Sequence, residues 1–491
     1  MSKPLWTARE AHEATGSQAA GEWQANSVSI DSRSIAPGGL FVAIVGERVD
    51  GHQYVKQAID AGAAAAIVDR PIEGVAADQL VVVDDTTKAL EALGIYARKR
   101  TDAKIIGVTG SVGKTTTKEA LRLMCEAFGG TFASQGNFNN HFGAPLSLAN
   151  MPANTEFGVF EMGMNHAGEI SKLTEMVRPH IAIITTVEAV HLEFFDDEQG
   201  IARAKAEIFD GLEPGGAAIL NADSEHTDFI RTLLLHEKRS EQVGERAISV
   251  RSTVSCESQE TFTETNINII TFGEENNADV KKVTSALTDQ GSRLTVEVGG
   301  QSLELELTTS NIAVDAAILV SLATAKALGL ELEKAVNQLQ QFTEVKGRGQ
   351  VEPTELDGKA MWWMDDSYNA SPASMRAAFG KLATVKTQQS AERTVVVLGD
   401  MLELGDQSAA LHQGLAASIA EHHIDCVYTT GELMQHLHEA VSPSIHTYHA
   451  PDLAKLQEVL KDQLRSGDVV LFKGSNGSKI HQLVKDLLGK K

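Results

Sequence analysis

The chain has 491 residues, 42% of them hydrophobic and 22% charged; at about 150 residues per domain it is long enough for about three domains, each with its own core. Its net charge of −23 excludes non-specific nucleic-acid binding, which needs a basic face. Cys125, Cys256 and Cys426 stand far apart without Cys-x-x-Cys spacing, which excludes a disulfide framework or a cysteine zinc site and leaves them as small buried hydrophobes or inert thiols.

The opening, Met1-Ser-Lys-Pro-Leu-Trp6, does not read as a signal peptide, and no apolar run approaches ~20 residues. A cytoplasmic enzyme without a membrane span is the expectation. Residues 1–103 read as a small α/β module. Gly39 to Gly46, Ala64 to Asp69 and Gln79 to Asp84 are strand-like, and Tyr54 to Ala61 is helical. The polar step from Arg98 to Lys104 marks a boundary.

Residues 104–345 form the second unit. The apolar run Ile105-Ile-Gly-Val108 leads into Thr109-Gly-Ser-Val-Gly-Lys-Thr-Thr116, and Thr117 to Phe128 is amphipathic. Strand, glycine loop, Lys-Thr and helix make a phosphate-binding loop for ATP or GTP; a chance glycine turn before an ordinary helix is the alternative. Gly110 and Gly113 let the N–H groups of Thr109, Ser111, Val112 and Thr116 turn toward phosphate, and the helix N-terminus adds positive potential. Lys114 reaches phosphate and Thr115 holds Mg²⁺. The usual pattern has a glycine where this chain has Val108, so the loop is a shortened form. Phe157–Phe160, Ile181–Thr186 and Ala217–Asn221 are further strands of a mainly parallel sheet. Residues 236–266 read as a polar excursion. Ser292–Val298 and Ser302–Leu307 alternate as antiparallel strands about a Gly299-Gly300 turn, and Ala313–Leu328 is a helix. In residues 346–491, the strands Trp362–Asp365, Arg393–Leu398, Cys426–Thr430 and Val469–Lys473 alternate with helices as a Rossmann-like sheet, with Gly399 and Gly474 where ligands approach such sheets.

Five side chains in these units are candidates for chemistry. Glu161 ends a strand beside the phosphate loop and can hold Mg²⁺; a solvent-facing acid is the alternative. The strand order would bring His191 to the same crevice, as a ligand or as a structural histidine. Lys205, taken alone, is a solvated helix lysine. Arg348, between two glycines at the start of the third unit, can swing onto a phosphate or serve as a linker residue. Asp366, at a strand end, can accept from a ribose hydroxyl or cap a turn.

The chain resembles the ATP-dependent Mur ligases of bacterial cell-wall synthesis along nearly its whole length. The matching segments are Asp31-Ser-Arg33, Gly39-Leu-Phe-Val-Ala43, the loop 109–115, Gly136-Asn-Phe-Asn-Asn140, Glu161-Met-Gly-Met-Asn-His166, Gly168-Glu-Ile170, His191-Leu192 and Ala204-Lys-Ala-Glu-Ile-Phe209. They continue through Gly347-Arg348, Asp365-Asp-Ser-Tyr-Asn-Ala370, Gly399-Asp-Met-Leu-Glu-Leu-Gly405 and Lys473-Gly-Ser475. Three of them look like the branch that joins D-alanyl-D-alanine to UDP-N-acetylmuramoyl-tripeptide.

The resemblance implies a monomeric ligase of three α/β domains: an N-terminal module for the UDP end of the precursor, a central ATPase-like parallel sheet and a C-terminal Rossmann-like domain. It implies that Lys114 contacts phosphate, Thr115 a first Mg²⁺, and Glu161 and His191 a second. Lys205 matches a lysine that CO₂ carbamylates into an anionic metal ligand. Arg348 would touch phosphate, Asp366 the ribose, and Ser32 and Arg33 the uridine diphosphate; Asn139, Asn140, His166 and Glu169 would line the substrate cleft. The chain departs from the family at 308–314, where only Asn311 of a Gly-x-His-Asn-x-x-Asn stretch remains, and at Asn476 and His481-Gln482. A sibling Mur ligase, a folylpolyglutamate-like ligase and a nucleotide-binding paralogue without turnover are the alternative readings.

Overall fold

Three larger sheets organise the described residues, besides a two-stranded antiparallel pair, Trp6–Thr7 with Gln24–Ala25. The computed structural model describes residues 3–17, 21–46, 49–136, 138–190, 192–195, 197–234, 267–275, 277–288, 291–309 and 312–489. His191, Asn311, Cys256 and the whole of the polar stretch 236–266 lie outside the described residues.

The first sheet has four parallel strands in the order Ser27–Ser29, Gly39–Val42, Ala65–Val68, Leu80–Val82. Its short all-apolar strands are buried on both faces, as parallel strands require. One face is covered by helix Thr86–Lys99, which starts at an Asp85 cap accepting from Thr87 N and Lys88 N. This unit does not close on itself. Its core includes Leu146 and Ala149 of the central unit. Trp6 Nε1 donates to Ala149 O at 2.7 Å, and the Asn150 side chain both accepts from Val28 N and donates to Val28 O at 2.9 Å. Gly94 packs so tightly on Pro145 that an added Cβ would sit 3.0 Å from its backbone.

The central sheet has nine strands, in the order Gln301–Leu307, Gly291–Val298, Val280–Thr288, Asn268–Gly273, Ala217–Asn221, Ile181–Ile184, Lys104–Thr109, Phe157–Glu161, Thr131–Ala133. Pairing is parallel from Thr131–Ala133 to Val280–Thr288 and antiparallel in the last two pairs. The expected Gly299-Gly300 hairpin turn is present, both residues at positive φ (57° and 85°). From Lys104–Thr109 the chain first builds strands on one side and then returns to build on the other. The strand order therefore reverses there, which opens a crevice at the carboxyl ends of these strands.

The third sheet runs Gln350–Leu356, Lys359–Asp366, Asp468–Lys473, Arg393–Gly399, Cys426–Thr430, His446–Ala450, parallel except for the first pair. Gly399 and Gly474 do not form an open cradle. A Cβ on either would meet Ser478 Oγ, at 2.6 and 2.4 Å, so the glycines serve close packing of the last turn. Cys125 and Cys426 are buried free thiols, as expected.

Candidate active site

The phosphate loop folds as its glycines demand. Gly110 has φ +145°, and an added Cβ would lie 1.9 Å from Thr185 Oγ1; Gly113 has φ +85° and opens helix Lys114–Glu126. The loop is stitched to the segment after Ile181–Ile184. Ser111 N donates to Thr186 O at 2.8 Å, Thr185 Oγ1 donates to Val112 O at 2.6 Å, and Ser111 Oγ accepts from Glu188 N at 2.9 Å. Lys114 Nζ folds over the loop onto Gly110 O at 2.6 Å. Its ammonium is destabilised by burial and by the Arg348 charge and stabilised by Glu161, with a net pKa below the ordinary lysine range.

Parallel pairing aligns Val108 with Glu161 and Thr109 with Ile184, so Glu161 reaches the loop from the next strand tip. Thr115 Oγ1 donates to Glu161 Oε2 at 2.9 Å and accepts from Arg348 Nη2 at 3.1 Å. Asn139 Nδ2 donates to the other carboxylate oxygen at 2.8 Å. Glu161 is 2% exposed, so it is not a solvent-facing acid. Two hard oxygens, a hydroxyl and a carboxylate, converge beside a phosphate loop, and that donor set suits Mg²⁺. Among the described residues no three His, Cys, Asp or Glu side chains cluster as a ready-made metal cage.

Lys205, in helix Glu198–Ala206, is not a solvated helix lysine; it is 2% exposed. Burial and the charge of Lys114 both disfavour its cation and hold its pKa well below the ordinary value. Arg348 stacks its guanidinium 3.7 Å above the Tyr368 ring, which aims it across the seam at Thr115. Asp366 pairs with the buried Lys473 at 2.6 Å, and Lys473 also donates to Asn369 O at 3.0 Å.

The remaining expected residues are spread more widely. Asn140 Oδ1 accepts from Gly143 N at 2.9 Å, just before helix Gly143–Ala149, so its side-chain carbonyl is already used locally. His166 meets Glu169 at 3.2 Å and stacks on Phe194 at 4.5 Å. Arg33 is exposed and forks onto Asp31, with its shorter contact at 2.7 Å, while Ser32 is buried and reaches Gln57 at 3.4 Å. These two belong to the first sheet's loops. Sequence reading passed over Ser134, Thr185 and Lys118, and quoted Lys473 only within a matching segment, without a role. Lys118 carried a signal: a charged residue on the inward face of an amphipathic helix.

A shortened phosphate loop, a strand-tip glutamate on its threonine and an arginine from a separate Rossmann-like unit define a nucleotide-dependent enzyme. Comparison with known proteins gives the class its name. Models of the Mur ligase family catalytic domain, the Mur ligase middle domain and the Mur ligase glutamate ligase domain match residues 24–101, 108–261 and 347–476. The chain belongs to the Mur ligase family.

Its relatives are more specific. The UDP-N-acetylmuramoyl-tripeptide–D-alanyl-D-alanine ligase of Rickettsia prowazekii is 30% identical over 485 residues, covering 98% of this chain and 99% of the relative. The ligase of that name from Escherichia coli is 32% identical, covering 94% and 93%. Among solved structures, MurF from Acinetobacter baumannii superposes with a TM-score of 0.79 at 31% identity over 99% of both chains. MurF of Thermotoga maritima in complex with ADP gives 0.74 at 25% identity, covering 94% and 97%.

Proposed function

We propose that this chain is an ATP-dependent, ADP-forming ligase that joins D-alanyl-D-alanine to the terminal carboxylate of UDP-N-acetylmuramoyl-tripeptide in peptidoglycan precursor synthesis. The observation that carries the reading is the convergence of Lys114, Thr115, Glu161 and Arg348 at one point of the crevice. The near full-length similarity to ligases of that name supports the choice of substrates.

A carboxylate is a poor acyl donor because its leaving group would be oxide. Bound ATP and Mg²⁺ would supply a transferable phosphoryl group and neutralise its charge, giving an acyl phosphate that the dipeptide amine attacks with loss of phosphate. The protein's part is electrostatic and positional. Lys114 offsets the repulsion between the substrate carboxylate and the polyphosphate. Thr115 would hold a first Mg²⁺, and Glu161, hydrogen-bonded to it, would serve a second together with His191. Arg348 would reach phosphate on closure, shielding the acyl phosphate from water. Asp366, preset by Lys473, would receive the ribose, and Asn311 the nucleotide.

We assign residues 1–103 to the uridine diphosphate end, through Ser32 and Arg33, residues 104–345 to ATP, and residues 346–491 to closure. Asn140, His166 and Glu169 line the route between them, and Asn139 steadies Glu161 there. One chain supplies the loop, the carboxylate and the arginine, so the working unit is a monomer. No helix among the described residues is long and apolar enough to cross a membrane, and we place the reaction in the cytoplasm with its nucleotide substrates.

The buried amine of Lys205 is suited to carbamylation. In its neutral form it can attack CO₂: the N–C bond forms, a carbonyl electron pair moves to oxygen, and one N–H proton leaves to solvent. The product is an anionic oxygen ligand. A ¹³C carbamate resonance on incubation with ¹³C-bicarbonate, lost in Lys205→Met, is the expected result; its absence from the unmutated protein refutes the modification.

The ligase reading is tested by phosphate release from ATP. Release should require both UDP-N-acetylmuramoyl-tripeptide and D-alanyl-D-alanine. Equal release with a single free amino acid would assign the chain to a sibling activity, and ATP binding without amide formation would make it a paralogue without turnover.

A further inference from the structure

Lys118 lies one turn beyond Lys114 on the phosphate-loop helix and is 1% exposed. A buried ammonium is costly unless it is held by acceptors. Its Nζ donates to Ser134 O at 2.6 Å and to Gly136 O at 3.5 Å, and meets Glu119 Oε1 at 2.9 Å. The two carbonyls belong to the segment that follows strand Thr131–Ala133, and that segment touches Glu161 twice. Ser134 Oγ accepts from Glu161 N at 3.2 Å, and Asn139 Nδ2 donates to Glu161 Oε1 at 2.8 Å. Its two ends are pinned to the glutamate strand and the residues after it: Ser134 N donates to Val159 O at 2.9 Å and Gly163 N to Asn139 O at 2.8 Å.

We propose that Lys118 is a positioning residue for Glu161, tying segment 134–139 to the phosphate-loop helix so that the carboxylate stays aimed at Thr115. It touches none of the reacting atoms. The phosphate-loop helix thereby presents Thr115 directly and fixes its carboxylate partner through Lys118, three residues further on. A methionine at 118 fills the volume but cannot hold the two carbonyls. The proposal rests on the reading of Glu161 as a metal ligand only for its consequence, not for its geometry.

The test uses the full chain with Lys118→Met, Ser134→Ala and Glu161→Gln. Hydrogen–deuterium exchange is followed in nucleotide-free protein, and the Mg²⁺ concentration for half-maximal phosphate release is measured with both substrates. Lys118→Met should speed exchange in peptides covering 134–140 about tenfold and raise half-saturating Mg²⁺ by about 10-fold, within the range for residues that orient metal ligands. Part of kcat should return at saturating Mg²⁺. Ser134→Ala should act in the same direction, more weakly. A lowered thermal midpoint with unchanged Mg²⁺ half-saturation and unchanged exchange at 134–140 overturns the proposal, because that is what a purely structural lysine would give. If Lys118→Met fails to fold, an unchanged Mg²⁺ half-saturation in Ser134→Ala overturns it. If Glu161→Gln leaves Mg²⁺ half-saturation unaltered, the metal reading fails, and the exchange result alone then supports or overturns the tether.

Discussion

Arg348 is the sharpest point at which to test the closing step. It crosses from the third unit to Thr115 Oγ1 by one hydrogen bond of 3.1 Å, and its stack on Tyr368 lies within its own unit. Without nucleotide, Arg348→Ala therefore removes only that one bond between the units, worth about 0.5–1.5 kcal/mol in a partly solvated setting. That is a shift of about 2- to 13-fold in the population of the closed arrangement, small enough to leave folding intact. During turnover the same guanidinium would face developing phosphoryl charge, where loss of one preorganised donor typically costs about 10²–10³ in kcat.

The two magnitudes differ, and the difference is the test. Small-angle scattering of nucleotide-free protein should change little, while kcat for phosphate release should fall at least about a hundredfold. Arg348→Lys should recover only part of the rate, because it keeps the charge but loses the planar fork and the stack. A variant that opens measurably in scattering yet keeps kcat within about threefold of the parent would make Arg348 a hinge brace and not a phosphate contact.

Other expectations follow from single features. Lys114→Ala should abolish ligation while leaving the thermal midpoint unchanged or raised, since the ammonium it removes is destabilised by burial; calorimetry and the phosphate assay check both halves. Asn150→Ala breaks both bonds to the Val28 backbone and should destabilise the first unit by about 1–3 kcal/mol, seen as an earlier transition in calorimetry. Buried His412 accepts from Met401 N at 2.9 Å through Nε2, and burial lowers its pKa below 6.5. The unfolded chain then binds the proton that the folded chain refuses, so stability is full above about pH 6.5 and falls below it, by at most about 1.4 kcal/mol per pH unit from this group, until its folded pKa is reached. Denaturant titrations of parent and His412→Gln between pH 5 and 8 should show that slope in the parent and lose it in the variant. Burial pushes the Cys125 thiol up to about 12, so mass spectrometry after alkylation of native protein at pH 8 should find Cys125 unlabelled.

What the sequence shows and hides follows from burial. Phe157–Glu161, Ile181–Ile184, Ala217–Asn221 and Cys426–Thr430 were legible because central parallel strands are apolar on both faces. Gln350–Leu356 and His446–Ala450 were not, because each is an edge strand paired on one side only; the first even carries Pro353, which an edge tolerates. Val280–Thr288 shifts register between Lys282 and Thr284, and a one-residue shift breaks the alternation that marks a strand. At the site, Glu161 and Thr115 could be paired from strand-tip logic, and Arg348 from its glycine neighbours. Lys118, Ser134 and Asn139 could not, because their contacts to one another and to Glu161 join segments that meet only through the crossover. Of the departures from the family pattern, Asn476 and Gln482 fall on an exposed turn and helix face, whereas Val314 is a core residue, 1% exposed. None of the three touches the contacts that hold Lys114, Thr115, Glu161 and Arg348.

The two seams between the units differ in kind, and the difference bears on which unit can move. The first unit is joined to the central one through shared apolar core: Trp6, Leu93, Leu146 and Ala149 pack together, and Arg98 donates to Val177 O at 2.8 Å and Arg178 O at 2.9 Å. Opening it would expose several large side chains, each worth about 1.5–3 kcal/mol of burial. The third unit meets the central one through polar contacts: Arg348 to Thr115, Glu193 N to Glu403 O at 3.3 Å, Gln388 Nε2 to Gly291 O at 3.5 Å, and a buried ion pair between Lys381 and Glu344 beside the junction. A polar interface of this kind permits relative motion by default. On the proposed function, the first unit would be a fixed wall of the substrate site and closure would belong to the third. Residues 1–103 expressed alone would leave half of their seam in water, so binding of a uridine diphosphate sugar is to be measured on the full chain, where saturating UDP-N-acetylmuramoyl-tripeptide should protect the Asp31–Arg33 backbone from hydrogen exchange even in Arg348→Ala. Protection that disappears in that variant would mean the first unit also depends on closure, and the division of labour between the two seams would fall.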